Sequence, residues 1–125
     1  MNNLIRIFVV LPALLFLLIG IRWLVDPAGA AAELGMPLLE GLGRSTQIGD
    51  LTAFFIGASV MMGLGLMTAN RTWFYAPAML LILTAAFRVV AWFAHGAVFA
   101  APQIGVEIVV AVILVFAASK LCKPA

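Results

Sequence analysis

Charge is scarce in this chain. Only 10% of its 125 residues are Asp, Glu, Lys or Arg, where a soluble domain carries about a quarter. A water-facing globular surface is therefore not what it encodes. Cysteine is almost missing as well. The single Cys122 excludes an internal disulfide, a Cys-x-x-Cys redox centre, a covalently attached haem and a thiolate zinc site. The single histidine, His95, excludes bis-histidine haem ligation within one chain. Lys and Arg number seven and never cluster, so the formal charge of +2 carries no nucleic-acid signal. Gly41-Leu42-Gly43-Arg44-Ser45-Thr46 lacks both the lysine and the preceding strand of a phosphate-binding loop. No cofactor is expected.

What is there is apolar: 66% of the residues are hydrophobic, gathered into four runs long enough to cross a bilayer. The expected fold is an all-α membrane protein, a single domain over 1–125, built as a four-transmembrane-helix bundle. The spans fall at about 4–24, 47–68, 74–95 and 102–119. The first run follows Arg6 and could be a signal peptide, but Arg22, Trp23 and Asp26 interrupt it where a signal would be small and neutral. It reads as a membrane helix with Arg22 and Trp23 as interface anchors. Asp26-Pro27 then marks a short helix, an N-cap acid before a first-turn proline, which Gly35-Met36-Pro37 ends. The connection to the next span is long for so small a bundle and is expected to lie in the interface as a partly helical lid.

In the second run Gly49, Ala53 and Gly57 recur every four residues, a spacing that lets membrane helices approach closely. Met61, Met62 and Met67 read as gap-fillers beside it. Asn70-Arg71-Thr72 is a polar turn, and Trp73, Phe74 and Tyr75 open the third helix as an aromatic belt. Pro102 opens the fourth helix, and Lys120 and Lys123 end the chain on an interface. With four spans, Arg6, Arg71, Lys120 and Lys123 share one side and Arg22 and Arg44 the other. The positive-inside rule then puts both termini in the cytoplasm.

A few polar residues lie inside the apolar runs. Ala78, Leu81, Ala85, Arg88, Trp92 and His95 follow alternating spacings of three and four, so Arg88, Trp92 and His95 share a face. Asp50 enters helix two three residues after Gln47, and Glu107 enters helix four, four residues after Gln103. A charge at such depth costs about 3 kcal/mol on insertion scales and needs a partner. Asp50, Arg88, His95 and Glu107 are expected to converge at one depth near the outer surface, with Gln47, Trp92 and Gln103 beside them, as a ligand-binding pocket. Two carboxylates against one guanidinium leave a net −1, so Asp50, Glu107 and His95 are expected to share a proton. The plainer alternative is an ion pair that only sets helix register. A metal on Asp50, His95 and Glu107 is disfavoured because Arg88 would repel it.

Several of these features together resemble the DoxX-like group of small four-helix bacterial membrane proteins. They are the chain length, four spans, a long first loop holding Asp26-Pro27, Gln47-Ile48-Gly49-Asp50 opening helix two, Arg88 late in helix three, His95-Gly96 at its end, and Glu107 in helix four. The resemblance implies a four-helix bundle in a bacterial inner membrane and, in some members, association with membrane sulfur or redox complexes. With no paired cysteines here, a thiol-redox role does not carry over. The function expected is non-enzymatic: binding of a lipid-like, quinone-like or anionic small molecule, or service as an accessory subunit of a membrane complex. Partners are then membrane lipid, a lipophilic small molecule, and further copies or a larger complex. An intramembrane acid–base enzyme such as an isomerase is the alternative, with Glu107 or Asp50 as base and His95 as acid. An oligomeric proton-coupled transporter is a second. No residue is assigned a catalytic role.

Overall fold

The computed structural model describes residues 1–122; Lys123, expected beside Lys120 on an interface, lies outside the described residues. Five helices form: α1 (Asn2–Val25), α2 (Pro27–Glu33), α3 (Gly41–Thr68), α4 (Thr72–His95) and α5 (Ala101–Leu121). No strand occurs among the described residues. Helices α1, α3, α4 and α5 are each long and apolar enough to cross a membrane. The all-α fold with four spanning helices and a partly helical first loop is therefore what the chain builds. The shortest of the four, at 21 residues, is about 32 Å long and matches a hydrocarbon core of about 30 Å. The helices divide between two compact units, Val10–Val60 and Met1–Val9 with the chain from Met61 onward.

In the Val10–Val60 unit α1 meets α3 at a glycine, but not at the expected seam. A Cβ on Gly20 would run into the Ile56 side chain and lie 3.2 Å from the Ile56 backbone nitrogen, whereas nothing approaches a Cβ built on Gly49 or Gly57. Among the described residues, therefore, nothing packs closely on the glycines of the α3 stripe. Phe16 and Phe55 meet edge to face with centroids 5.4 Å apart. Ser59 Oγ donates to the Ala13 carbonyl at 2.7 Å, an interhelical hydrogen bond of the kind that ties membrane helices together.

The first loop is held by local chemistry. Asp26 caps α2 by accepting from the Gly29 amide at 3.2 Å, with Pro27 in the first turn. At the other end Met36 N donates to Ala31 O and Gly35 N to Ala32 O, with Gly35 left-handed at φ +76°. This is the paired closure that glycine permits after a helix. Arg22 pairs with Asp26 at 3.5 Å and with Glu33, so one guanidinium fastens both ends of α2 to the end of α1. Trp23, expected as an interface anchor, is fully buried instead. Ala30 and Ala31 give α2 a flat face that closes over the indole, with Ile48, Leu51 and Phe55 of α3 around it.

Helix α3 also starts earlier than its apolar run suggests, at Gly41 and not near Gln47. The reason lies in side chains that reach back. Gln47 accepts from Leu39 N at 2.8 Å and donates to Pro37 O at 3.1 Å, while Arg44 Nε donates to Leu39 O at 2.9 Å. An extended segment with no ladder partners thus has its backbone groups satisfied, and the helix supplying those groups must already be formed at residue 44.

In the second unit Arg6 donates to Leu66 O at 3.0 Å, fixing the start of α1 to the last turn of α3. A Cβ on Gly65 would lie 2.8 Å from the Phe74 ring, a close α3–α4 approach. Helix α4 ends on Gly96, left-handed at φ +70°, and Trp92 packs edge to face on Phe99 at 5.2 Å beyond it. The short link lets α5 run back along α4. Phe74, Ala78, Leu81 and Ala85 of α4 are buried, as are Glu107, Val110, Ala111, Leu114, Ala117 and Ala118 of α5.

These packings predict opposite outcomes at two glycines of similar sequence context. Gly20→Ala should lower the denaturant midpoint in detergent micelles, costing about 1–3 kcal/mol through overpacking on Ile56. Gly49→Ala, facing open space, should be neutral or stabilising by up to about 1 kcal/mol through helix propensity.

A candidate polar site between helices α4 and α5

The buried stripe of α4 runs 74, 78, 81, 85; three residues further along it stands Arg88. The stripe of α5 begins with Glu107. Because α5 runs back along α4, the last position of one stripe falls beside the first of the other. Arg88 Nε donates to both carboxylate oxygens of Glu107, each at 3.0 Å. Both residues lie about 10 Å inside their helices, counted from the ends joined by the 96–100 link. At that depth a lone charge is expensive and an opposite one beside it is the remedy.

The two partners are not equally covered: the Glu107 side chain is 10% exposed, that of Arg88 34%. The carboxylate is enclosed and the guanidinium forms its outward side. A guanidinium has five N–H donors, and only Nε–H is spent on Glu107. Neither terminal amino group of Arg88 has a protein acceptor among the described residues. The pair is thus neutral as a whole, yet it presents a planar fork of unsatisfied donors. Such a fork suits two oxygen acceptors in one plane.

The other residues expected in the pocket are distributed as follows. Gln103 is half-buried and Trp92 exposed, its ring engaged with Phe99. His95 is exposed, two turns beyond Arg88, and makes no side-chain hydrogen bond among the described residues. Gln47 is buried, and both ends of its amide serve the loop backbone at Leu39 and Pro37. Asp50, in the Val10–Val60 unit, is exposed and takes part in no ion pair among the described residues. Of the expected set, Arg88 and Glu107 are the two joined by hydrogen bonds. Among the described residues no three His, Cys, Asp or Glu side chains are placed to share a metal ion.

Sequence reasoning passed over other polar atoms. Trp23 Nε1, Thr52 Oγ1 and Arg71 Nε are buried without a hydrogen-bond partner among the described residues. The Ala30-Ala31 pair after a capped helix start was the one signal that something flat and large, here Trp23, would lie beneath α2. Nothing local marked Thr52.

In comparison with known proteins, no family model, no curated protein and no solved structure matches this chain.

Removing one member of an enclosed ion pair leaves the other uncompensated, which costs about 3–5 kcal/mol. Glu107→Leu should therefore lower unfolding free energy in detergent by about 3 kcal/mol, the low end because the Arg88 side chain is 34% exposed. Asp50→Asn and His95→Ala, at exposed positions, should each change it by no more than about 0.5 kcal/mol. Equal losses at all three positions would contradict the pairing.

Proposed function

We propose that this protein is a small integral membrane binding protein that receives the polar head of a lipophilic molecule, or a polar group of a larger membrane partner, on Arg88. The observation that carries this is the spare capacity of the guanidinium: Glu107 uses Nε alone, and both terminal amino groups lack acceptors among the described residues. In an apolar surrounding each unmet donor is costly, so a lipid-like, quinone-like or anionic head offering oxygen atoms gains directly from them. Glu107 orients the guanidinium. Trp92, one turn away and exposed, borders the approach, with His95 and Gln103 at the mouth. Asp50 and Gln47, in the Val10–Val60 unit, have no part in this proposal.

The DoxX-like resemblance stands behind the same proposal. Its support here is four membrane-length helices, a capped helix at Asp26-Pro27 in the first loop, and Arg88 paired with Glu107. A bacterial inner membrane with both termini in the cytoplasm fits the excess of Arg and Lys on the side of the termini. The proposed role is binding: Glu107 is held by Arg88, and His95 makes no side-chain hydrogen bond among the described residues.

Native mass spectrometry of the protein released from native-membrane nanodiscs tests the proposal. Wild type should carry a retained non-protein mass, and Arg88→Lys, which keeps the charge but not the planar fork, should lose at least about tenfold of it at unchanged helicity. Equal retention in a folded Arg88→Lys variant would sink the binding role.

A further inference from the structure

Among the described residues, the charged side chains at the opposite end of the α4–α5 pair are all basic. Three segments meet there. Arg6 reaches Leu66 O, so the start of α1 lies beside the last turn of α3. The turn after α3 holds Arg71. Because α5 runs back along α4, with Arg88 late in one beside Glu107 early in the other, Cys122, just past α5, lies at the end where α4 begins after Arg71. Lys120 stands two residues before Cys122, its Nζ 5.8 Å from the centroid of Phe116. The Asp and Glu residues of the whole chain are Asp26, Glu33, Glu40, Asp50 and Glu107. Only Glu107 belongs to this unit, and it lies about 20 Å along α5 from Lys120. Arg6, Arg71 and Lys120 therefore have no carboxylate to neutralise them among the described residues of their own unit.

The turn itself shows where an acceptor is missing. Thr68 Oγ1 donates to Leu64 O at 2.6 Å and accepts from Asn70 N at 3.3 Å, and Asn70 Oδ1 accepts from Thr72 N at 3.0 Å. Phe74 N and Tyr75 N both donate to Arg71 O. Every polar group of the turn so named is paired, and Arg71 Nε is buried with no acceptor among the described residues. A buried charged donor without a partner is among the costlier defects a fold can carry, and an oxygen brought to this guanidinium would relieve it. Around this end Leu4, Ile7 and Met67 are exposed apolar side chains. An anion that also brings hydrocarbon satisfies both features.

We propose that Arg6, Arg71 and Lys120, brought to one end of the helices by the Arg6–Leu66 hydrogen bond and the α3–α4 turn, bind the phosphate of an anionic phospholipid whose acyl chains lie along Leu4, Ile7 and Met67. This site is separate from Arg88, and neither proposal needs the other.

The test is native mass spectrometry from nanodiscs of equimolar phosphatidylglycerol and phosphatidylcholine, with a second arm of inorganic phosphate in phosphatidylcholine alone. Wild type should retain phosphatidylglycerol preferentially. Arg71→Gln and Arg6→Gln should each weaken that retention by about fivefold, the increment for one basic side chain at a membrane surface. Lys120→Gln, exposed and not needed for packing, should do the same at full helicity, and Arg71→Lys should lose less than Arg71→Gln. Equal retention of the two lipids, or retention unchanged in Lys120→Gln and Arg71→Gln, overturns the site. Inorganic phosphate that displaces the retained lipid, or binds as tightly in phosphatidylcholine, overturns its assignment to a lipid.

Discussion

A guanidinium that enters an apolar helix must bring its counter-charge with it, and in this chain the two arrive on consecutive helices. Arg88 ends the buried stripe of α4 and Glu107 begins that of α5. The connection between them is short and closed by a left-handed glycine and an aromatic pair. Sliding α5 by one turn along α4 would separate the charges by about 5 Å and leave both uncompensated in low dielectric. The pair therefore selects the register in which the buried stripes of α4 and α5 run beside one another. What fixes the register is also what leaves chemistry to spare, because one nitrogen of the guanidinium suffices for the carboxylate.

The Val10–Val60 unit solves a different problem with the same economy of charge. Its loop has no sheet or long helix to satisfy its backbone, and it borrows side chains from the helices on either side. Arg22 ties both acids of α2 to α1, and Gln47 with Arg44 holds residues 37–39. Under that strap Trp23 is buried with its indole N–H unpaired. Polar side chains in this chain thus serve the register between α4 and α5, the strap, the Ser59 tie between α1 and α3, the α3–α4 turn, and the basic end formed by Arg6, Arg71 and Lys120.

How much of this could be read beforehand depended on how local the cause was. Asp26-Pro27 and Gly35 act within a turn, and the short helix they bound was legible residue by residue. The four spans followed from length and composition, and the shared face of Ala78, Leu81, Ala85 and Arg88 from spacing alone. The start of α3 was not legible, since Gln47 and Arg44 act on a loop several residues behind them. Gly20 looked ordinary beside the regular Gly49, Ala53 and Gly57, yet close approach depends on the facing residue, Ile56, which spacing cannot name. Trp23 beside Arg22 had the look of an interface pair, and only the fold of α2 buries it. For Arg88 two acids, Asp50 and Glu107, stood at comparable depth. Helical periodicity could bring them to one level but could not choose between them.

The pairing of Arg88 with Glu107 is tested most directly by exchanging the two charges. In Arg88→Glu with Glu107→Arg the ion pair is restored with reversed polarity at the same α4–α5 level. The account predicts that each single exchange, which sets like charges face to face, loses the folded state in detergent, and that the double exchange recovers most of it. A double variant no more stable than the worse single one would show that these side chains are not partners, and the fork of free donors would have no fixed position from which to bind anything.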